Sequence, residues 1–68
     1  MTIIYKQTDN ENILLLAKRY QVPFESIVKV EIENDHIYIY HFETHNDKVV
    51  SCTKVIHDSQ LFHHLSHA

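Results

Sequence analysis

Two short polar breaks, Asn34-Asp35 and His45-Asn46-Asp47, divide residues 26–56 into three runs rich in β-branched and aromatic side chains. Asn and Asp tolerate the left-handed backbone that a tight hairpin loop needs, so each break reads as a turn and each run as a strand. A chain patterned this way is held to an antiparallel meander. The first run alternates Val28, Val30 and Ile32 with Lys29, Glu31 and Glu33, which is the period of a strand with one dry and one wet face.

The loop at Asn34-Asp35 then sets the register. With two residues in the turn, Ile32 faces Ile37, Val30 faces Ile39 and Val28 faces His41, and opposed residues share a face. The second run, HIYIYHFETH, is apolar on both sides. Its partner strand assigns Ile37 and Ile39 to the core. An even loop at residues 45–46 adds Val50 and Cys52 of the third run to the same side by parity. The opposite face collects Lys29, Glu31 and Glu33, then Tyr38, Tyr40 and Phe42, then Val49, Ser51, Thr53 and Val55. That face is an aromatic stripe between acids and hydroxyls. The N-terminal strand, the last helix or a second copy of the chain could cover it; otherwise it is a binding face.

Helices are expected on either side of the meander. Thr8-Asp9-Asn10-Glu11 has the form of a capping box and predicts a helix from Asp9 to about Gln21. Its core stripe is Ile13, Leu16, Ala17 and Tyr20, widened by Leu14 and Leu15, with Lys18 and Arg19 in the last turn. Pro23 disfavours helical backbone at Val22 and stops it. Asp58-Ser59 caps a short last helix holding Leu61, Phe62 and Leu65. Residues 2–7 suit an edge strand or an extended lead-in. The expected fold is one α+β domain over residues 1–68, in the order (β)-α-β-β-β-α. Its three-stranded antiparallel sheet, with a fourth edge strand from the N-terminus, packs on the first helix.

Composition narrows function by exclusion. No glycine occurs among the 68 residues, which removes every Gly-rich phosphate loop. Six Lys and Arg against nine Asp and Glu, a net charge of -3, argue against a nucleic-acid backbone as partner and for a protein with a basic surface. The longest apolar run falls far short of a membrane span. Met1-Thr2-Ile3-Ile4-Tyr5-Lys6 lacks the basic start and long apolar region of a secretory signal. The lone Cys52 excludes an internal disulfide and agrees with a reducing compartment. A cytoplasmic location is expected, that of the host cell for a phage-encoded chain.

Residues that could carry chemistry do not assemble into a motif. His63 and His67, like His41 and His45, stand at i, i+4, but no Cys-x-x-Cys or His-Glu-x-x-His completes a metal site. Cys52 and His41 could pair as nucleophile and base only around an open pocket, and a thiol facing the helix reads as buried and inert. No cofactor and no catalytic activity is expected.

The α-β-β-β-α order is similar to that of the double-stranded-RNA-binding domain. The start of the last helix, Asp58-Ser59-Gln60-Leu61-Phe62-His63-His64, carries none of the basic residues on which that function depends. The order, size and charge also resemble small phage-encoded inhibitors, including some anti-CRISPR proteins, which occlude nucleic-acid sites on their targets. The reading is a protein-binding inhibitor or regulator of phage or bacterial type. It would act through Tyr38, Tyr40 and Phe42, with Glu31, Glu33 and Glu43 steering it to a basic surface. A homodimer through the sheet face would use the same residues. The alternatives are a nucleic-acid binder that stacks bases on the aromatics and a histidine-based metal- or pH-responsive module.

Overall fold

The structure, a computed structural model, describes residues 2–66. Strand β1 (Thr2–Tyr5) leads through a turn into helix α1 (Asn10–Tyr20). A single 3-10 turn at Phe24–Ser26 follows, then strands β2 (Ile27–Glu33), β3 (His36–His45) and β4 (Lys48–Ile56), and helix α2 (Ser59–Ser66). The four strands form one antiparallel sheet in the order β1-β2-β3-β4. The expected fold is present, with the N-terminal segment as the fourth strand.

Both hairpins close on two-residue loops without glycine. Asn34 and Asp35 take φ of 50° and 65°, and Asn46 and Asp47 take 51° and 64°. Positive φ at both loop positions is what a twist-matched type I′ turn demands, and Asn and Asp tolerate it best after glycine. The second loop is therefore 46–47, one residue later than expected. This slides the pairing along but preserves its parity: His45 faces Lys48, His41 faces Cys52 and Ile37 faces Ile56.

Between β2 and β3 the register follows expectation from Glu33 to Lys29 and then departs from it. A bulge between Ile27 and Lys29 puts Ile27, not Val28, opposite His41. The extra residue reverses the alternation. Ile27 is buried, while Val28 is 45% exposed and leaves the expected core.

One core lies between the sheet and the two helices. Helix α1 contributes Ile13, Leu16 and Ala17, and α2 contributes Leu61 and Leu65, against Ile4, Val30, Ile32, Ile37, Ile39 and Ile56 of the strands. Tyr20 and Phe62 pack at its margin. Leu14 and Leu15, expected to widen the helix stripe, are exposed. Val50 is exposed as well, and Cys52 is only partly covered. The cause is strand length: β3 and β4 run past the end of β2, beyond the reach of either helix. Ile56 supplies the core contact from β4 instead.

The helix ends show what local sequence decides. Thr8 does not form the expected capping box, because its hydroxyl donates to the Tyr5 carbonyl in the preceding turn (3.3 Å). Helix α1 starts one residue later, with Asp9 at the N-cap and its carboxylate accepting from the Asn12 amide (2.8 Å). At the other end Gln21 turns left-handed, and the Val22 amide returns to the Ala17 carbonyl (3.1 Å), which closes the helix. Asp58 caps α2 as expected: its carboxylate accepts the Leu61 amide (3.1 Å). The other carboxylate oxygen accepts the Tyr20 hydroxyl (2.8 Å) and lies 3.5 Å from Arg19, tying α2 to the end of α1.

Candidate functional site

Both helices lie on one side of the sheet, so its other side is bare among the described residues. Strand β1 extends the sheet instead of covering it, and α2 joins α1 in the core. Two of the three covers considered from sequence are thereby removed. The bare face carries Ile3 and Tyr5 from β1, Lys29, Glu31 and Glu33 from β2, Tyr38, Tyr40 and Phe42 from β3, and Val49, Ser51, Thr53 and Val55 from β4. The cross-strand pairs on it are Ile3 with Glu31, Tyr5 with Lys29, Tyr38 with Val55, Tyr40 with Thr53 and Phe42 with Ser51.

Apolar exposure on this face is large. Phe42 is 46%, Val55 56% and Val49 70% exposed, and Ile3 and Tyr5 are exposed as well. Soluble monomers rarely leave contiguous apolar surface of this kind without a use for it. Tyr38 and Tyr40 are half-buried by their neighbours. The Tyr40 hydroxyl donates to Glu31 (3.2 Å), Lys29 pairs with the same carboxylate (3.3 Å), and the Lys29 ammonium sits 5.1 Å from the centre of the Tyr40 ring. Desolvation raises the Tyr40 phenol pKa, and the hydrogen bond to Glu31 adds to it. Tyr38 stacks on His36, which stacks in turn on His57 with ring centres 4.9 Å apart.

Of the six residues singled out from sequence, five lie on this face: Tyr38, Tyr40, Phe42, Glu31 and Glu33. Glu43 lies on the helix side, at the projecting end of β3, where it bonds His45 (2.8 Å). That hydrogen bond draws its carboxyl below the usual range. Ile3 and Tyr5 were missed, because no hairpin joins β1 to β2 and the register of β1 cannot be counted from a loop.

The helix side holds a second, smaller feature. His41 is only 6% exposed, and its Nδ1 has no hydrogen-bond partner. Beside it a cleft of about 280 Å³ is lined by Val22, Pro23, Glu43, Cys52 and Lys54. Burial, and then the charge of Glu43, push the Cys52 thiol up, the reverse of what a nucleophilic cysteine needs. A shallow groove of about 540 Å³ on α1 is floored by Leu14, Leu15, Val22 and Phe24, with Glu11 and Lys18 also lining it. Among the described residues no three His, Cys, Asp or Glu side chains converge as metal ligands. His67, half of one histidine pair noted above, lies outside the described residues. No helix among them is long and apolar enough to cross a membrane.

Comparison of the chain with family models, with curated proteins and with solved structures returns no match.

Proposed function

We propose that the chain is a non-enzymatic protein-binding module, a small inhibitor or regulator that works by steric occlusion through the bare face of its sheet. The observation that carries this reading is that, among the described residues, neither helix and no strand covers the side holding Tyr38, Tyr40, Phe42, Val49 and Val55. Tyrosine suits such a role, because it brings large area at low entropic cost and keeps a polar tip for hydrogen bonding. The hydrogen-bonded sheet holds those side chains on one surface, so little backbone ordering is incurred on docking.

Charge selects the partner class. Glu31 is partly satisfied by Lys29 and Tyr40, while Glu33 lies at the end of β2 beside the stripe, and the chain as a whole carries -3. A basic protein surface, including one that otherwise holds nucleic acid, is the complementary target.

The test compares proteins retained from a native-host lysate by the wild type, by Tyr38→Ala/Phe42→Ala and by Glu33→Lys, each first checked for an unchanged circular dichroism spectrum. A basic protein held by the wild type and lost from both variants is the expected result. Retention by the double variant, or melting of that variant's fold, would overturn the reading. Filter retention of single-stranded RNA or DNA at low salt, abolished by Tyr38→Ala, would replace it with base stacking.

A further inference from the structure

The free edge of β4 is a second surface, separate from the bare face and independent of the reading just given. We infer that it is a homodimerisation edge, and that two copies pair β4 against β4 about a two-fold axis at Cys52 to make one eight-stranded sheet.

The direction of the backbone groups comes first. A two-residue hairpin closes on a hydrogen-bonded pair, here His45 with Lys48. Counting along β4, the amides and carbonyls of Lys48, Val50, Cys52, Lys54 and Ile56 point to β3. Those of Val49, Ser51, Thr53 and Val55 point outward. Four consecutive outward residues on a nine-residue strand without proline form a long unpaired template. Every residue from Lys48 to Val55 is exposed except the half-covered Cys52. The opposite edge is weaker, since four-residue β1 turns outward only at Ile3 and Tyr5.

The side chains then select the register. An antiparallel pair centred on Cys52 uses all four outward residues and sets Val49 against the partner's Val55 and Ser51 against the partner's Thr53. These are like-with-like matches on the bare face. On the helix side Val50 meets the partner's Lys54, and Lys48 meets the partner's Ile56. Sliding the axis to Ser51 brings Lys48 opposite the partner's Lys54, a like-charge opposition, and loses one hydrogen-bonded pair. Sliding it to Thr53 sets Val55 against the partner's Ser51 and Cys52 against the partner's Lys54. The two lysines therefore discriminate against the slip to Ser51, and the slip to Thr53 loses the match of Val49 with Val55 and one hydrogen-bonded pair, while the centred register meets neither penalty.

The shape of the chain points the same way. Residues 42–45 and 48–51 form a ribbon with no third strand, because β2 stops pairing at His41, and the molecule is drawn out to 39 Å against 22 and 20 Å. A two-stranded ribbon is marginal in water. In the centred dimer each projecting half of β4 lies along the partner's body half, so each ribbon gains the partner's four strands beside it and becomes six-stranded.

The axis makes the single cysteine the reporter. Cys52 would face its twin at a non-hydrogen-bonded site, with Cα atoms about 4.5 Å apart, inside the disulfide window. Diamide, which takes up the two electrons and two protons released by a pair of thiols, should convert the chain to a Cys52-linked dimer at alkaline pH. Sedimentation of reduced protein should give a concentration-dependent mass of twice 8.1 kDa. Thr53→Pro removes an outward amide and no bond to β3, so it should abolish the dimer and the cross-link with the circular dichroism spectrum intact. Val50→Lys sets two lysine pairs against each other and should weaken the dimer roughly tenfold. Tyr38→Ala/Phe42→Ala should leave it unchanged. A chain that stays monomeric overturns the inference, as does a dimer that Thr53→Pro spares or Tyr38→Ala/Phe42→Ala dissolves.

Discussion

Among the described residues five hold positive φ, and none is glycine: Gln21, Asn34, Asp35, Asn46 and Asp47. The four loop residues belong to the types that bear the left-handed region well, but Gln21 does not. Its φ of 56° and ψ of 43° are imposed by the need to end α1 and swing Val22 into the core ahead of Pro23. Gln21→Gly should accordingly stabilise the chain by about 1 kcal/mol in urea denaturation, glycine's greater freedom when unfolded offsetting part of the relief. No change, or a loss, would mean that the Gln21 side chain contributes a contact of equal worth. His41 sets the converse case. Its buried Nδ1 lacks a partner, so His41→Leu should be neutral or stabilising by up to about 1 kcal/mol, where an ordinary core truncation costs several. A clear loss of stability in His41→Leu would show that the imidazole has a polar role in the cleft beside Cys52.

Between elements, Asp58 is the joint. It accepts the Leu61 amide at the start of α2 and the Tyr20 hydroxyl from the end of α1, with Arg19 nearby. The Leu61 amide, then Tyr20, lower its carboxyl below the usual range. A group depressed on folding contributes stability that is present above the ordinary carboxylate pKa of about 4 and is lost as pH falls through the folded value. Asp58→Asn keeps a capping oxygen and removes the charge, so it should flatten the acid limb of the stability profile below about pH 4 while α2 persists. An unchanged acid limb would remove Asp58 from that role. The same joint marks the limit of what sequence reveals about elements. The cap at Asp58 and the parity of every strand downstream of Lys29 are legible, since both follow from local spacing. The bulge at Ile27 and Val28 is not, because both residues are β-branched and apolar and either would fill the core. Nor is the exposure of Val50, which depends on β3 being three residues longer than β2, a comparison no local pattern contains. Glu43 is a different case: its parity with Ile39 and His41 is countable and places it on the helix side, so grouping it with the stripe by charge alone is wrong, and the overhang leaves it in solvent.

At the scale of the whole molecule, β3 carries two different kinds of apolar residue on one strand. Ile37 and Ile39 are fully buried under the helices, while Tyr38, Tyr40 and Phe42 look the other way. A chain of this size has total stability of only about 3–10 kcal/mol, so it matters which face supplies it. Edge pairing through β4 leaves the bare face open in the dimer and doubles it, whereas a face-to-face dimer would bury it. The two arrangements separate in an alanine series along β3. With the face open, Ile37→Ala and Ile39→Ala should each cost about 2–5 kcal/mol, a large share of that total. Tyr38→Ala and Phe42→Ala should cost about 1 kcal/mol or less, from cross-strand contacts alone. The alternation should hold at every protein concentration, since edge pairing buries neither set further. If the aromatic positions instead became as costly as the isoleucines as concentration rose, the second face would be a core shared between copies. The stripe would then be part of the fold and would no longer be free for a partner.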